Sequence, residues 1–251
     1  VNEPALTAGV VLVDKPVGPT SFRMVQQVRR ALGIKKVGHA GTLDPFASGL
    51  LVICVSRAAT RIISQLMEGE KEYLALLRLG FETDSQDREG NIIDTQPVPE
   101  LDRAAIEACL AGFLGPQLQQ PPQFSALKHQ GKPLYYYARQ GIVIEKEPRP
   151  ITIFSLEFIE YREQCLQIRV VCSKGTYVRT LATDIGRALG CGAYLQELRR
   201  TRSGPFHVQD AVDGALLADS GPARQLLVDA MLSVEEVLAV VHDPGEGLIS
   251  T

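Results

Sequence analysis

The chain has 251 residues, 45% of them hydrophobic and 22% charged, enough to bury a sizeable core as one large domain or two small ones. The first apolar run, Val10 to Val13, is far too short to span a bilayer, and Val1 to Gly9 lacks the basic flank of a secretory signal, so a cytoplasmic protein is expected. Five cysteines without a CxxC pair and four scattered histidines without HxxxH or HxH spacing suggest neither a disulfide framework nor a metal site.

The net charge of −3 is unevenly spread. Residues 203–251 hold eight acids against the single base Arg224, which leaves residues 1–202 net positive. Arg23, Arg29, Arg30, Lys35 and Lys36 follow one another without an intervening acid, and Arg199, Arg200 and Arg202 cluster later. Such runs suit phosphate contact or a solvated face equally well.

Val10–Val13 reads as a strand, broken by Lys15-Pro16-Val17-Gly18-Pro19. Thr20 or Ser21 can then cap a helix with apolar positions Phe22, Val25, Val28 and Leu32, ended by Gly33. Lys36 to Pro45 reads as a shaped loop: Gly38 and Gly41 permit backbone angles closed to other residues, and Pro45 biases Asp44 away from helix. A strand over Leu50 to Val55 and a helix through Ala59, Ile62, Ile63 and Leu66 follow.

Lys71 to Leu79 reads as a strand with Tyr73, Ala75, Leu77 and Leu79 on one face, and Leu74 and Leu76 suggest burial of the other. Glu82 to Gly90 is acidic and loop-like. Asp102 caps a helix bearing Ile106, Leu110 and Phe113, with Gly115 as its stop. Gln117 to Pro133 has little periodicity and reads as a long loop, followed by Tyr135-Tyr136-Tyr137 and Arg139. Cations and aromatics interleaved in this way suit single-stranded RNA or a tyrosine-rich turn packed on the core.

Ile151 to Tyr161 and Gln164 to Ser173 read as paired strands whose connecting turn type is open. Ser173-Lys174-Gly175-Thr176 leads into a helix with Val178, Leu181, Ile185 and Leu189, closed by Gly190. Arg179 stands in its first turn, where a cation opposes the helix dipole, so an anionic partner is expected. A strand at Ala193 to Leu198 precedes the basic run. A Ser233–Glu236 capping box opens a last helix, and Asp243-Pro244-Gly245-Glu246-Gly247 reads as frayed.

The chain contains no GxGxxG after a strand and no GxxxxGK[ST], GxSxG or HExxH, so any chemistry falls to its own side chains. Asp44 before Pro45 is then either an ordinary turn residue or a presented carboxylate that acts as nucleophile or base. A carboxylate hydrolase and a non-catalytic RNA-binding module both fit this reading.

Gly38-His39-Ala40-Gly41-Thr42-Leu43-Asp44-Pro45-Phe46-Ala47-Ser48-Gly49-Leu50-Leu51 closely resembles the catalytic segment of the TruB family of tRNA pseudouridine synthases. Val10–Pro16 resembles the family's opening strand, and Lys71-Glu72-Tyr73 its tyrosine motif. Ser125-Ala126-Leu127-Lys128 with Tyr137-Ala138-Arg139-Gln140-Gly141 resembles its RNA-gripping insertion, while Ser173–Thr180 and Leu198-Arg199-Arg200 resemble its later motifs, all in order.

This resemblance implies an α/β protein of α+β type, with a mixed, largely antiparallel sheet flanked by helices. Residues 1–202 would form a catalytic domain of two subdomains with an insertion at about 117–147, and residues 203–251 a helical tail. It implies a cofactor-free, metal-free isomerisation of uridine 55 in the tRNA T-loop by a monomer with no membrane partner. Asp44 would be the nucleophile, Tyr73 would stack on the flipped base, Arg179 would pair with Asp44, and His39 would hold the displaced loop. Tyr177 and Leu198 would complete the pocket. Many relatives continue into a PUA-type domain, which is not evident here. A tRNA-binding folding chaperone with dispensable chemistry is the competing expectation.

Overall fold

The computed structural model describes residues 8–125 and 127–243. Ala126 of the Ser125–Lys128 motif, and all but Asp243 of the stretch expected to fray, lie outside the described residues. The chain runs through β1 (Gly9–Lys15), α1 (Ser21–Leu32), β2 (Val37–Ala40), β3 (Ser48–Val55), α2 (Ser56–Arg61), α3 (Ile63–Leu66), β4 (Lys71–Leu79), β5 (Phe81–Thr83) and β6 (Ile92–Thr95). It continues through α4 (Arg103–Ala111), β7 (Gly115–Gln119), β8 (Lys128–His129), β9 (Lys132–Pro133), α5 (Leu134–Ala138), β10 (Arg149–Arg162), β11 (Cys165–Cys172) and α6 (Val178–Ala188). It closes with β12 (Ala193–Ser203), β13 (Phe206–His207), β14 (Val212–Asp213), α7 (Ser220–Asp229), β15 (Leu232–Ser233) and α8 (Val234–His242). Among the described residues, those up to Tyr73 form one compact unit together with those from Arg199 onward, and those between, from Leu74 to Leu198, form a second.

In the first unit the strand order is β14-β1-β3-β12. β1 pairs antiparallel with β3, Val11 opposite Ile53, whereas β14 joins β1 and β12 joins β3 in parallel. The nearly continuous apolar runs of β1 and β3 follow from burial on both faces. Val11, Val13, Leu51, Ile53 and Val55 pack with Met24, Val25 and Val28 of α1 and Leu227 of α7. Their neighbours Val10, Leu12, Leu50, Val52 and Cys54 pack with Ala59, Ile62, Leu66 and Val237. α1 starts where Thr20 accepts the Arg23 N–H and stops at Gly33 with φ 69°, and the Ser233–Glu236 capping box starts α8.

In the second unit the order is β4-β11-β10-β7. β10 is antiparallel to both β11 and β7. Leu166, Ile168, Val170 and Cys172 alternate into the core, and α4 packs on β10 and α6. The turn between β10 and β11 has positive φ at both Glu163 and Gln164, the pattern of a type I′ hairpin built without glycine. The mixed, mostly antiparallel sheet flanked by helices is as expected.

Several local expectations change. Val37–Ala40, read as loop, is a strand paired with β3. A Cβ at Gly38 would lie 3.0 Å from Ile63 Cδ1, a tight approach that the Ile63 side chain would have to relieve by shifting. Phe22, placed on the buried face of α1, is 54% exposed. The helix expected through Ala59 to Leu66 breaks into α2 and α3, and α4 ends at Gly112 rather than at Gly115. The even face of β4 is only half-buried. The stretch Gln117 to Pro133 contains β8, β9 and the end of β7. The β5–β6 hairpin and α7 gave no sequence signal, because β6 is exposed throughout and α7 has a weak apolar stripe.

Candidate active site

Asp44 stands on the turn between β2 and β3, and neighbouring groups fix that turn from several sides. Gly41, with φ 95°, turns the chain out of β2, a backbone angle that L side chains resist. The Ser21 hydroxyl, at the start of α1, donates to the Leu43 carbonyl at 2.9 Å and accepts the Leu43 N–H at 2.8 Å. The Pro45 carbonyl accepts from Gly18 N–H at 2.8 Å and from the fully buried Lys15 ammonium at 3.4 Å. Leu43, Phe46 and Ala47 are buried around the half-buried Asp44, whose own carbonyl accepts the Ala47 N–H. Each such hydrogen bond contributes about 0.5–1.5 kcal/mol net, so the turn is held by a set of small terms rather than by one.

Arg200 supplies the remaining clamp. Its side chain lies on β12, only 2% exposed, and donates to the carbonyls of Leu50 at 2.7 Å, Gly41 at 3.1 Å and Thr42 at 3.5 Å. β12 and β3 approach so closely here that a Cβ on Gly49 would fall 2.3 Å from the Arg200 carbonyl oxygen, which explains the glycine. His39, on β2, feels the same guanidinium. Burial first and Arg200 second hold its pKa below 6.5, against an opposing hydrogen bond to the Gly41 backbone. Its Nδ1 is buried and without a hydrogen-bond partner. Asp44 and His39 are thus brought to the two ends of one turn clamped by one arginine.

Tyr73, the third residue of β4, is 9% exposed and shares its face with Lys71. Lys71 donates to the carbonyls of Met67, at 2.5 Å, and Gly69. On the opposite face of the strand the Thr201 hydroxyl donates to the Glu72 carboxylate at 2.7 Å. The strand start that carries Tyr73 is therefore anchored on both faces.

The second unit places Arg179 in the first turn of α6, 5% exposed. An acid stands against it: Asp87 lies 3.5 Å away, 4% exposed. The carbonyls of Ser85 and Phe124 accept from the two guanidinium nitrogens at 3.0 and 2.8 Å. Asp87 is itself fixed by the Ser85 hydroxyl at 2.6 Å and the Glu89 N–H at 3.0 Å. Tyr177 precedes the helix, and the buried Gln119 amide grips its backbone twice, at 2.7 and 3.0 Å. Leu198, on β12, is 8% exposed. The sequence missed Asp87, Gln119 and the clamp of Arg200. Only Asp87 left a trace, as one acid among several in the Glu82–Gly90 loop.

The basic run at residues 199–202 is engaged within the protein. Arg199 makes a bidentate pair with Asp14 at 3.0 and 2.6 Å, and Arg202 pairs with Glu70 at 3.2 Å. The aromatic and basic insertion is more open. Tyr135 and Tyr136 are 43% and 40% exposed, with Arg139 5.5 Å from one ring centroid and Lys132 4.1 Å from the other.

The model of the TruB family pseudouridylate synthase N-terminal domain matches residues 29–178, and that of the tRNA pseudouridylate synthase B C-terminal domain matches residues 179–239. This chain belongs to the TruB family. Among TruB relatives, tRNA pseudouridine synthase B of Desulfotalea psychrophila is 56% identical over 94% of this chain and 98% of its own. That of Francisella philomiragia is 48% identical over 91% and 75%. Of solved structures, the Cbf5-Nop10-Gar1 complex matches with TM-score 0.70 and 30% identity, over 93% of this TruB chain and 62% of that one. An H/ACA RNP bound to a substrate RNA containing 2′-deoxyuridine matches with TM-score 0.67 and 28% identity, over 93% and 61%. The chain therefore spans about three-fifths of these two solved chains. The pseudouridine-synthase fold and enzyme class are those of the family.

Proposed function

We propose that this enzyme converts uridine 55 in the T-loop of tRNA to pseudouridine, with Asp44 as the nucleophile. Two relatives named tRNA pseudouridine synthase B support the substrate, and the clamped turn that presents Asp44 carries the assignment to that residue. The C1′–N1 bond breaks, the base turns, C1′–C5 forms, and the C5 proton is lost as N1 gains one. Attack at C1′ and abstraction of a sugar proton both need an ionised carboxylate held still. A turn fixed by Ser21, Lys15 and Arg200 provides that preorganisation.

The target nucleotide must leave its stack. Tyr73 stacks on the flipped base, Tyr177 and Leu198 line its pocket, His39 holds the displaced loop, and Arg179 acts on the Asp44 carboxylate. Stacking on an aromatic ring contributes about 1–3 kcal/mol per base, enough to offset much of the unstacking. The exposed Tyr135–Arg139 and Tyr136–Lys132 pairs of the insertion suit the RNA backbone and its unpaired bases.

The test is release of tritium from C5-labelled uridine in a T-arm transcript without added cofactor. Asp44→Asn is expected to lower the single-turnover rate at least about a thousandfold while RNA binding persists. Full release by Asp44→Asn would remove Asp44 from the chemistry, and release from a transcript with cytidine at position 55 would remove the site assignment.

A further inference from the structure

Gln119 to Ser125, with Leu127, form a strap between the first turn of α6 and the Leu134–Lys146 part of the insertion. Toward α6, Gln119 grips Tyr177, the Phe124 carbonyl accepts from Arg179, and the Gln120 carbonyl accepts from the Thr180 hydroxyl at 3.5 Å. Toward the insertion, Gln120 Nε2 donates to the Lys146 carbonyl at 2.6 Å, and Gln123 Oε1 accepts the Ile144 N–H at 3.0 Å. The carbonyls of Ser125 and Leu127 accept the Tyr135 and Leu134 N–H groups, at 3.2 and 2.7 Å, at the start of α5.

At this junction one polar atom is out of place. Ser125 is 4% exposed and its hydroxyl has no hydrogen-bond partner among the described residues. A buried hydroxyl left unmatched is destabilising, and native structures keep few of them. The Tyr135 N–H that the Ser125 carbonyl accepts is followed in the chain by a donor without a capping side chain. α5 begins after Pro133, which offers no side-chain cap. The Leu134 and Tyr135 N–H groups are taken by the strap, which leaves the Tyr136 N–H as the first-turn donor that no side chain caps. Tyr136 carries one of the two exposed ring–cation pairs suited to RNA.

We propose that Ser125 is a positioning residue: when the insertion grips RNA, its hydroxyl accepts the Tyr136 N–H, locking the strap whose next carbonyl, that of Phe124, orients Arg179. RNA engagement at the exposed tyrosines is thereby transmitted to the arginine through one hydrogen bond. This rests on the reading of Arg179 as part of the catalytic machinery.

Ser125→Ala is expected to slow single-turnover tritium release from the T-arm transcript about tenfold, the value of one hydrogen bond made only in the reacting complex. Its RNA affinity should stay within about threefold and its Tm should be unchanged or raised, since the lost group is unmatched in the free enzyme. Ser125→Cys, similar in shape and poor as an acceptor, should behave like Ser125→Ala. Hydrogen exchange should show the Tyr136 amide protected by RNA in the wild type and not in either variant. A wild-type rate in both variants, a lowered Tm in Ser125→Ala, or equal Tyr136 protection in all three proteins would each overturn the proposal. Arg179→Lys in the same assay tests the underlying reading separately: an undiminished rate there removes Arg179 from the machinery whatever Ser125 does.

Discussion

Two arginines are buried, one in each unit, and their surroundings differ in kind. Arg200 is surrounded by the carbonyls of Gly41, Thr42 and Leu50 and makes no ion pair among the described residues. Arg179 has two carbonyls and the carboxylate of Asp87. Carbonyl dipoles satisfy a guanidinium's donors without cancelling its charge. Arg200 therefore acts as an internal crosslink of the Asp44 turn whose positive charge is still felt by His39. Arg179 is instead aimed by an acid that is itself held by Ser85 and Glu89. One arginine shapes the backbone, and the other is held in one orientation.

The sharpest way to break this contrast is to remove each guanidinium and ask whether the fold or the rate suffers. Arg200→Met should cost about 3–5 kcal/mol of stability, because buried carbonyls that met a cation would then meet a methyl group. Chemical denaturation measures this directly; wild-type stability combined with lost activity would make Arg200 a functional group instead. Arg179→Lys should have a smaller effect on the fold and a larger one on the chemistry. The charge opposite Asp87 survives, but the planar fork that reaches Ser85, Phe124 and Asp87 together does not. A fall of about a hundredfold in single-turnover rate, with RNA affinity within about threefold, is expected. Equal losses in rate and affinity would mark Arg179 as a phosphate contact.

The same contrast explains what could be read from the sequence. β1, α1, β3, β11 and α6 carry apolar periods and caps strong enough to locate them, and the orphan charge of Arg179 in a helix's first turn announced that an anion must meet it. Its partner Asp87 could not be named, because nothing in Glu82–Gly90 distinguishes one acid from its neighbours until the loop folds. Arg200 was misleading for the opposite reason. In a run with Arg199 and Arg202 it looks like a surface patch, yet Arg200 is buried, while Arg199 on the other face of the strand pairs with Asp14 and Arg202, two residues further on, pairs with Glu70. The β2 strand was hidden by its glycine and histidine, which suit a loop in composition, and only its pairing with β3 makes it a strand.

The smallest expected effect is at His39, beside the Arg200 clamp. His39 is held neutral by burial and by Arg200, so its folded pKa lies below the ordinary 6.5. An unfolded chain then binds the proton before the folded one does. Stability contributed by the neutral imidazole is complete above that ordinary pKa and is lost as pH falls through it toward the folded value. From about pH 7.5 to about pH 5, His39→Gln should therefore lose less Tm than the wild type. Thermal melts across that range measure the difference. A wild-type slope in His39→Gln would mean that the imidazole does not carry this acid sensitivity.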